Sequence, residues 1–303
     1  MIRTASGLML LLLGLASCSL QPLHGDDEKG TPGAWRALFN GKDLAGWDTW
    51  LGRPHKSVAG LDLRKNDKGE YTDPVGLNQD SKQVYTVANL TDGPAIRISG
   101  EIFGALTTRE EFENYHFKLE FRWGEKRWPP RETAVRDSGI LYHCVGDHGA
   151  AGSFWMLSQE CQVQERDCGD YWSVAGAILD VEAERIQQNP ASPIRYRIGA
   201  PRQRVPRTIT LDDGKTRTDP RIIKEHDAER KTGEWNTIEV LCFKDTSVHV
   251  VNGQIVMILT GSRRKVGDRE VPLTKGKIQI QSEGAEVFYK NIEIRPLQGL
   301  FGG

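Results

Sequence analysis

The segment Tyr115-His-Phe-Lys-Leu-Glu-Phe-Arg-Trp123 alternates apolar and polar side chains throughout. Successive residues of a strand point to opposite faces, so Phe117, Leu119 and Phe121 mark a buried face and His116, Lys118, Glu120 and Arg122 the other. Shorter strands with Gly, Pro and Asp between them are predicted at 84–87, 95–99 and 105–108. More follow at 237–243, 247–251, 254–259, 276–281 and 287–294. Val251-Asn-Gly-Gln254 is a hairpin signal, because Asn-Gly favours a type I′ turn. Many short strands and scant helix point to an all-β fold, a two-sheet antiparallel sandwich with long rim loops. Residues 52–82 read as one such loop, and 190–235, rich in Pro, Arg and Asp, as an insertion over one rim. Residues 181–188 fit either a short helix or an irregular strand.

The first residues stand apart from this texture. Arg3, an apolar run over 8–15 and Leu15-Ala-Ser-Cys18 make a signal peptide whose core is too short to span a bilayer. The last four of these resemble the lipobox of bacterial lipoproteins, which implies lipid attachment at Cys18. Ser19 in place of Asp implies, by the same resemblance, onward sorting to the outer membrane. The expected organisation is a signal peptide at 1–17, a tether at 18–33 and a single domain at 34–298. The chain is then exported and held on the cell envelope, at the outer membrane or its periplasmic face.

Formal net charge is −1, so no global field draws the chain to nucleic acid. The Arg-rich stretch 195–207 reads as a solvated loop. Beyond Cys18 lie Cys144, Cys161, Cys168 and Cys242, whose pairing in an oxidising compartment the sequence leaves open. Cys144 and Cys161 are expected to point into the core. Their spacing does not make a zinc motif, and there is no nucleophile elbow, P-loop, dinucleotide fingerprint or HExxH.

Chemistry concentrates between Asp137 and Trp172. Glu160-Cys-Gln-Val-Gln164 is a strand whose polar face carries Glu160, Gln162 and Gln164, and Ile140-Leu-Tyr-His143 runs before it. The plainer reading is the solvated face of an antiparallel sheet. Trp155, Tyr171 and Trp172 flank the strand, and flat rings beside carboxyl and amide groups suit sugars. Lys277-Ile-Gln-Ile-Gln281 repeats the pattern, adding Gln279 and Gln281. Sandwich glycosidases of the laminarinase type resemble this arrangement but carry ExDxE. Here only the first carboxylate stands, which argues against two-carboxylate hydrolysis on this strand.

Five motifs occur in order. They are Leu38-Phe-Asn-Gly-Lys-Asp-Leu-Ala-Gly-Trp47, Asp137-Ser-Gly-Ile-Leu-Tyr-His143, Glu160-Cys-Gln-Val-Gln164, Gly276-Lys-Ile-Gln-Ile-Gln281 and Val287-Phe-Tyr-Lys-Asn-Ile-Glu-Ile-Arg-Pro-Leu297. Together they resemble the 3-keto-disaccharide hydrolase family over roughly 35–297, which implies a concanavalin-like jelly roll. One departure is His143, where many members carry Arg. The resemblance implies glycosides already oxidised at C3, cleaved by hydrolysis or elimination. A C3 ketone acidifies the C2 hydrogen, so one base, donors for the enolate oxygen and help for the leaving group suffice.

Glu160 or His143 is the expected base. Arg122, Gln162 and Gln164 are candidates for holding hydroxyls or the C3 oxygen, with Glu120, Trp155, Tyr171, Trp172, Gln279 and Gln281 completing the substrate site. No cofactor is certain. His143 and Glu160 would alternatively ligate a divalent metal, with Asp137 and Asp170 as further ligands. Turn chemistry before Gly or Ser is the plainer account of each Asp. A rival of another class is a non-catalytic glycan-binding surface lipoprotein, and a third is a structural domain binding partners through its loops.

Overall fold

In the folded chain Tyr115–Arg127 is one 13-residue strand, with Phe117, Leu119 and Phe121 fully buried and Lys118, Glu120 and Arg122 reaching the opposite surface. The computed structural model describes residues 33–300 except Pro190 and Asp212. The signal peptide, Cys18 and nearly all of the tether lie outside the described residues. Among the described residues every regular element is a strand.

The strands form a 12-stranded and a 9-stranded antiparallel sheet. The core between them joins Phe117, Leu119 and Phe121 of the larger sheet to Leu106, Ile140, Cys161, Val163 and Ile280 of the smaller. This is the expected antiparallel jelly-roll sandwich, of the concanavalin and laminarinase kind. Asn252 and Gly253 both have positive φ, 49° and 76°, as the type I′ hairpin requires. The smaller sheet runs Arg221–Ile222, Tyr171–Val174, Leu157–Gln164, Asp137–Val145, Lys275–Ser282, Gly104–Thr108, Trp47–Leu51 and Gly76–Leu77.

Residues 190–235 are not simply an insertion. Ile194–Tyr196 and Arg202–Val205 both pair with Ile178–Arg185, and Arg221–Ile222 extends the edge of the smaller sheet. Leu179, Val181, Tyr196, Val205, Ile222 and Leu259 close a second core there. Arginines between these apolar positions hid the strands. Arg197 and Arg204 do stand in water, as expected, but just past the end of one strand and within another rather than in one long loop, and they pair with acids: Arg197 with Glu184 at 3.1 Å, Arg204 with Glu270, and the more buried Arg207 with Asp219. Only Arg207–Thr210 and Thr216–Asp219 form a detached hairpin. The ambiguous segment 181–188 is mostly strand, within Ile178–Arg185. The 52–82 loop is largely irregular, pinned where the Tyr71 hydroxyl donates to the Val58 carbonyl at 2.7 Å.

Candidate active site

Three neighbouring strands carry the site: Leu157–Gln164, Asp137–Val145 and Lys275–Ser282. Glu160 stands opposite Leu141, Gln162 opposite Gly139 and Gln164 opposite Asp137, while Leu141 on its other side meets Gln279. Since Ile140, Cys161, Val163 and Ile280 face the core, alternation turns Asp137, Gly139, Glu160, Gln162, Gln164, Gln279 and Gln281 the other way. That face is turned from the core, yet Glu160 and Gln162 are each only 5% exposed and Gln281 1%. Loops close over it, and this covered polar face is the candidate slot.

One end of the slot is sealed. Residues 147–156 fold down so that Leu141, Cys144, Met156 and Val174 pack together, with Trp155 against them. The Trp155 ring donates to the Gly104 carbonyl at 3.1 Å and the Trp50 ring to that of Ser153 at 3.0 Å. Gln279 belongs to this seal, donating to Thr107 Oγ1 at 2.9 Å and accepting from the Met156 amide at 3.0 Å. Its amide and Trp155 therefore shape the slot without being free to bind.

The polar part centres on Gly139. A Cβ there would lie 2.3 Å from Glu160 Oε1 and 2.5 Å from Gln281 Oε1, so both side chains occupy room that only glycine leaves. Next along the strand, Asp137 Oδ2 accepts from Gln164 Nε2 at 2.5 Å and pairs with Arg131 at 2.6 Å. Arg131, from the loop before the strand, also faces Glu283 at 3.9 Å. Trp172, opposite Glu160 in register, forms a flank with the Arg221 guanidinium 5.8 Å from its ring centre. Several buried polar atoms lack a partner here: Gln281 Oε1, Asp137 Oδ1, Arg131 Nε and Trp172 Nε1.

Burial raises all three carboxyls. Glu160 is pushed well above the usual carboxylate range by desolvation and then by the Asp137 charge, with a Gln281 hydrogen bond opposing. Glu283 is raised by desolvation and by Asp137 and Glu160, against Arg131. Asp137 rises to about 6, because Arg131 and Gln164 hold the desolvation in check. Arg131 and Glu283 escaped the sequence reading. Glu283 continues the alternation of Gln279 and Gln281 and was visible in it, whereas nothing in Trp128-Pro-Pro-Arg131 marks that arginine.

Four expected site residues lie elsewhere. His143 sits where pairing slips on both sides, between Leu157 and Gln159 and between Lys277 and Gln279, and its φ is +54°. The bulge reverses the alternation. The ring turns into the core edge-on to Tyr115 and Tyr142, 1% exposed, and burial lowers its pKa to about 3. The same slip sends Cys144 to the slot side, under the 147–156 loop, while Cys161 faces the core as expected; all four described cysteines are free. Tyr171 is core, its hydroxyl donating to Gln159. Glu120 and Arg122 lie on the outer face of the other sheet, where Glu120 accepts from Asn291 at 3.0 Å and Arg122 stacks on Trp235.

The metal candidates do not converge. Asp170 is fully buried and neutralised by Arg221 at 2.6 Å and Lys224 at 3.8 Å, and His143 is in the core. Among the described residues no three His, Cys, Asp or Glu side chains gather as a metal centre. A separate cavity of about 490 Å³ opens beside Arg127, Glu165, Arg166 and Lys231. Its Glu165 carboxyl is held by Arg136 at 2.7 Å and Thr232 at 3.1 Å, so that carboxylate is committed to the wall.

The family described as a 3-keto-alpha-glucoside-1,2-lyase-like domain matches residues 34–295. The chain belongs to this family. The lyase-like domain thus accounts for nearly all the described residues, and its family makes it carbohydrate-active. No curated protein matches it significantly in sequence. Among solved structures it is similar to a Parabacteroides distasonis ATCC 8503 protein described provisionally as a glycosyl hydrolase, with 18% identity and a TM-score of 0.42, covering 87% of this chain and 94% of that one. It is also similar to the carbohydrate-binding module CBM66 from Bacillus subtilis, with 8% identity and a TM-score of 0.39 over 70% and 91% of the two chains. A β-glucanase of Bacillus licheniformis is similar at 8% identity and a TM-score of 0.38, over 89% and 100%.

Proposed function

We propose that the lyase-like domain cleaves glycosides already oxidised at C3, with Glu160 transferring the proton at the glycosidic oxygen. The observation that carries this reading is the Glu160 carboxyl, buried over Gly139 with no cation beside it, in a slot of amides. Burial raises its pKa and so favours the protonated form, the form suited to protonate a departing oxygen. Trp172 offers an apolar face to a sugar ring, while Gln162 and Gln281 offer hydrogen bonds to its rim. A ketone at C3 makes C2 acidic enough for elimination, so the bond to C1 breaks without a nucleophile on the protein. Whether water adds back afterwards sets hydrolysis against elimination as the net outcome.

No step is assigned to a metal, since the candidate ligands do not fit one. The lipobox-like Cys18 supports a place on the cell envelope, where the domain would meet glycans outside the cytoplasm. Mass spectrometry of the full chain from membranes tests this: an acylated N-terminal Cys18 is expected, and an unmodified soluble chain would refute it.

The enzymatic test compares a 3-keto glucoside bearing a chromogenic aglycone with its unoxidised counterpart, with and without a chelator. Release from the ketone alone, unaffected by the chelator, is expected, and Glu160→Gln should lower cleavage of a 3-keto glucoside with an alkyl aglycone about 100-fold or more. Binding of both sugars without release from either would leave a glycan-binding module and end the enzymatic reading.

A further inference from the structure

We propose that Asp137 is a second catalytic carboxylate, the base that removes the C2 proton, while Glu160 acts as the acid at the glycosidic oxygen. The inference rests on the 3-keto-glycoside reading above and assigns the other half of its chemistry. It restores a two-carboxylate site, but with the second carboxylate on the neighbouring strand, where the ExDxE spacing does not look for it.

Geometry separates the two roles. Asp137 and Gly139 share a face two residues apart, roughly 7 Å along the strand. Glu160 Oε1 overhangs Gly139, one same-face position along from Asp137, near enough for the Asp137 charge to act on it. In this scheme the C1–C2 bond of the sugar lies between them. Glu160 makes no ion pair, whereas Asp137 Oδ2 holds both Arg131 at 2.6 Å and Gln164 at 2.5 Å. The cation and the amide favour the ionised form of Asp137 over that of Glu160. Asp137 Oδ1 is buried and has no partner, and Gln281 Oε1 beside Glu160 is in the same condition. Two orphaned acceptors facing one slot call for a ligand that brings hydrogens, which a sugar does. Arg131 touches no reacting atom in this scheme and is a positioning residue. Glu283, farther from Arg131 at 3.9 Å, lacks such a close ion pair.

The step balances without any further reagent. Asp137 Oδ1 takes the C2 proton, and the electron pair left on C2 is held as the C3 enolate. That pair then forms the C1–C2 double bond as the C1–O bond breaks, restoring the ketone. The departing oxygen takes the proton of Glu160 and leaves as an alcohol. Asp137 ends protonated and Glu160 ionised, and a proton returned from Asp137 to Glu160 through solvent resets the site.

The test reads the two half-steps apart. In D2O, exchange of the C2 hydrogen of a 3-keto glucoside is followed by NMR, beside aglycone release from nitrophenyl and alkyl 3-keto glucosides. Asp137→Asn should lose exchange and both releases by about 100-fold or more. Glu160→Gln should keep exchange and release nitrophenol near the wild-type rate, while losing the alkyl substrate by about 100-fold or more, because nitrophenol needs no acid. Wild-type exchange in Asp137→Asn, or its loss in Glu160→Gln alone, would overturn the assignment. Should Asp137→Asn not fold by its thermal melt, Arg131→Gln replaces it: the acid limb of the exchange profile should move to higher pH, and an unmoved limb would overturn the proposal. Besides Arg131, the charged groups facing Asp137 are Glu160, Glu283 and Asp167. A wild-type protein that neither exchanges nor cleaves would refute the 3-keto-glycoside reading itself.

Discussion

Glu160 and Gln281 reach from the strands on either side of Gly139 and set their Oε1 atoms 2.3 and 2.5 Å from the point its Cβ would occupy. Gly139→Ala should therefore displace both side chains while the strand, whose φ there is ordinary, persists. A shift of about 1 Å in a reacting group is enough to cost on the order of 100-fold in rate. The expected result is a folded variant with its melting temperature within a few degrees of wild type and cleavage of the 3-keto substrate lowered by that order. Full activity in Gly139→Ala would place the reacting carboxyl elsewhere.

The carboxyl cluster sets a pH dependence of stability. Asp137, Glu160 and Glu283 have folded pKa values raised above their unfolded ones. Each binds its proton more tightly in the native state, so its contribution is complete below about pH 4 and is lost as pH rises through the folded value. For Asp137 that window runs from 3.8 to about 6. Unfolding in urea from pH 4 upward should show this loss, at up to about 1.4 kcal/mol per pH unit for each group while it titrates. Glu160→Gln should flatten the alkaline part of the curve; an unchanged curve would mean that Glu160 is solvated.

Asp170 holds the wall rather than the chemistry. Its carboxyl is fully buried between Arg221 and Lys224 and accepts the Lys224 amide at 3.0 Å. Asp170→Ala would remove the buried anion that both cations share, leaving Arg221 with Asp167 at 2.8 Å and Lys224 with Asp227 at 3.6 Å, and breaking a buried pair costs up to about 3–5 kcal/mol. Denaturant melts should show a loss of that size. Arg221, left with Asp167 alone, would also be held less firmly beside Trp172, so KM should rise more than kcat falls.

Much of the fold was legible because strands advertise themselves by alternation, as Phe117, Leu119 and Phe121 do. The site was legible where alternation stays unbroken: Glu160, Gln162, Gln164 and Gln281 share the slot face, joined by Glu283 from the same period. It failed at two kinds of place. A bulge is invisible to a period-2 pattern, so His143 and Cys144 were assigned to the wrong faces. Sheet membership is also not a local property. Glu120 and Arg122 have the right polar alternation but belong to the opposite sheet, and Arg131 reaches Asp137 from a loop whose path only tertiary structure determines. The strands within 190–235 were hidden because their outward positions are arginines, which pair with acids supplied from other strands.

His143 gives the sharpest contrast between the two levels of reading. Its ring lies in the core, edge-on to Tyr115 at 5.7 Å and Tyr142 at 5.3 Å between centroids, and burial keeps it neutral with a pKa of about 3. Because that folded value lies below the usual 6.5, the ring must gain a proton on unfolding between those limits, which weakens the fold as pH drops through that range. His143→Ala should remove the acid-side effect but open a cavity, for a net loss of about 2–3 kcal/mol near neutral pH. The residue acts on the sheet and not on the substrate, so kcat per folded molecule should stay within about threefold of wild type, a change worth under 1 kcal/mol of barrier. Urea titrations at neutral pH give the first quantity, and initial rates on the 3-keto substrate, normalised to folded protein, give the second. A collapse in rate with stability unchanged would return His143 to the reacting centre.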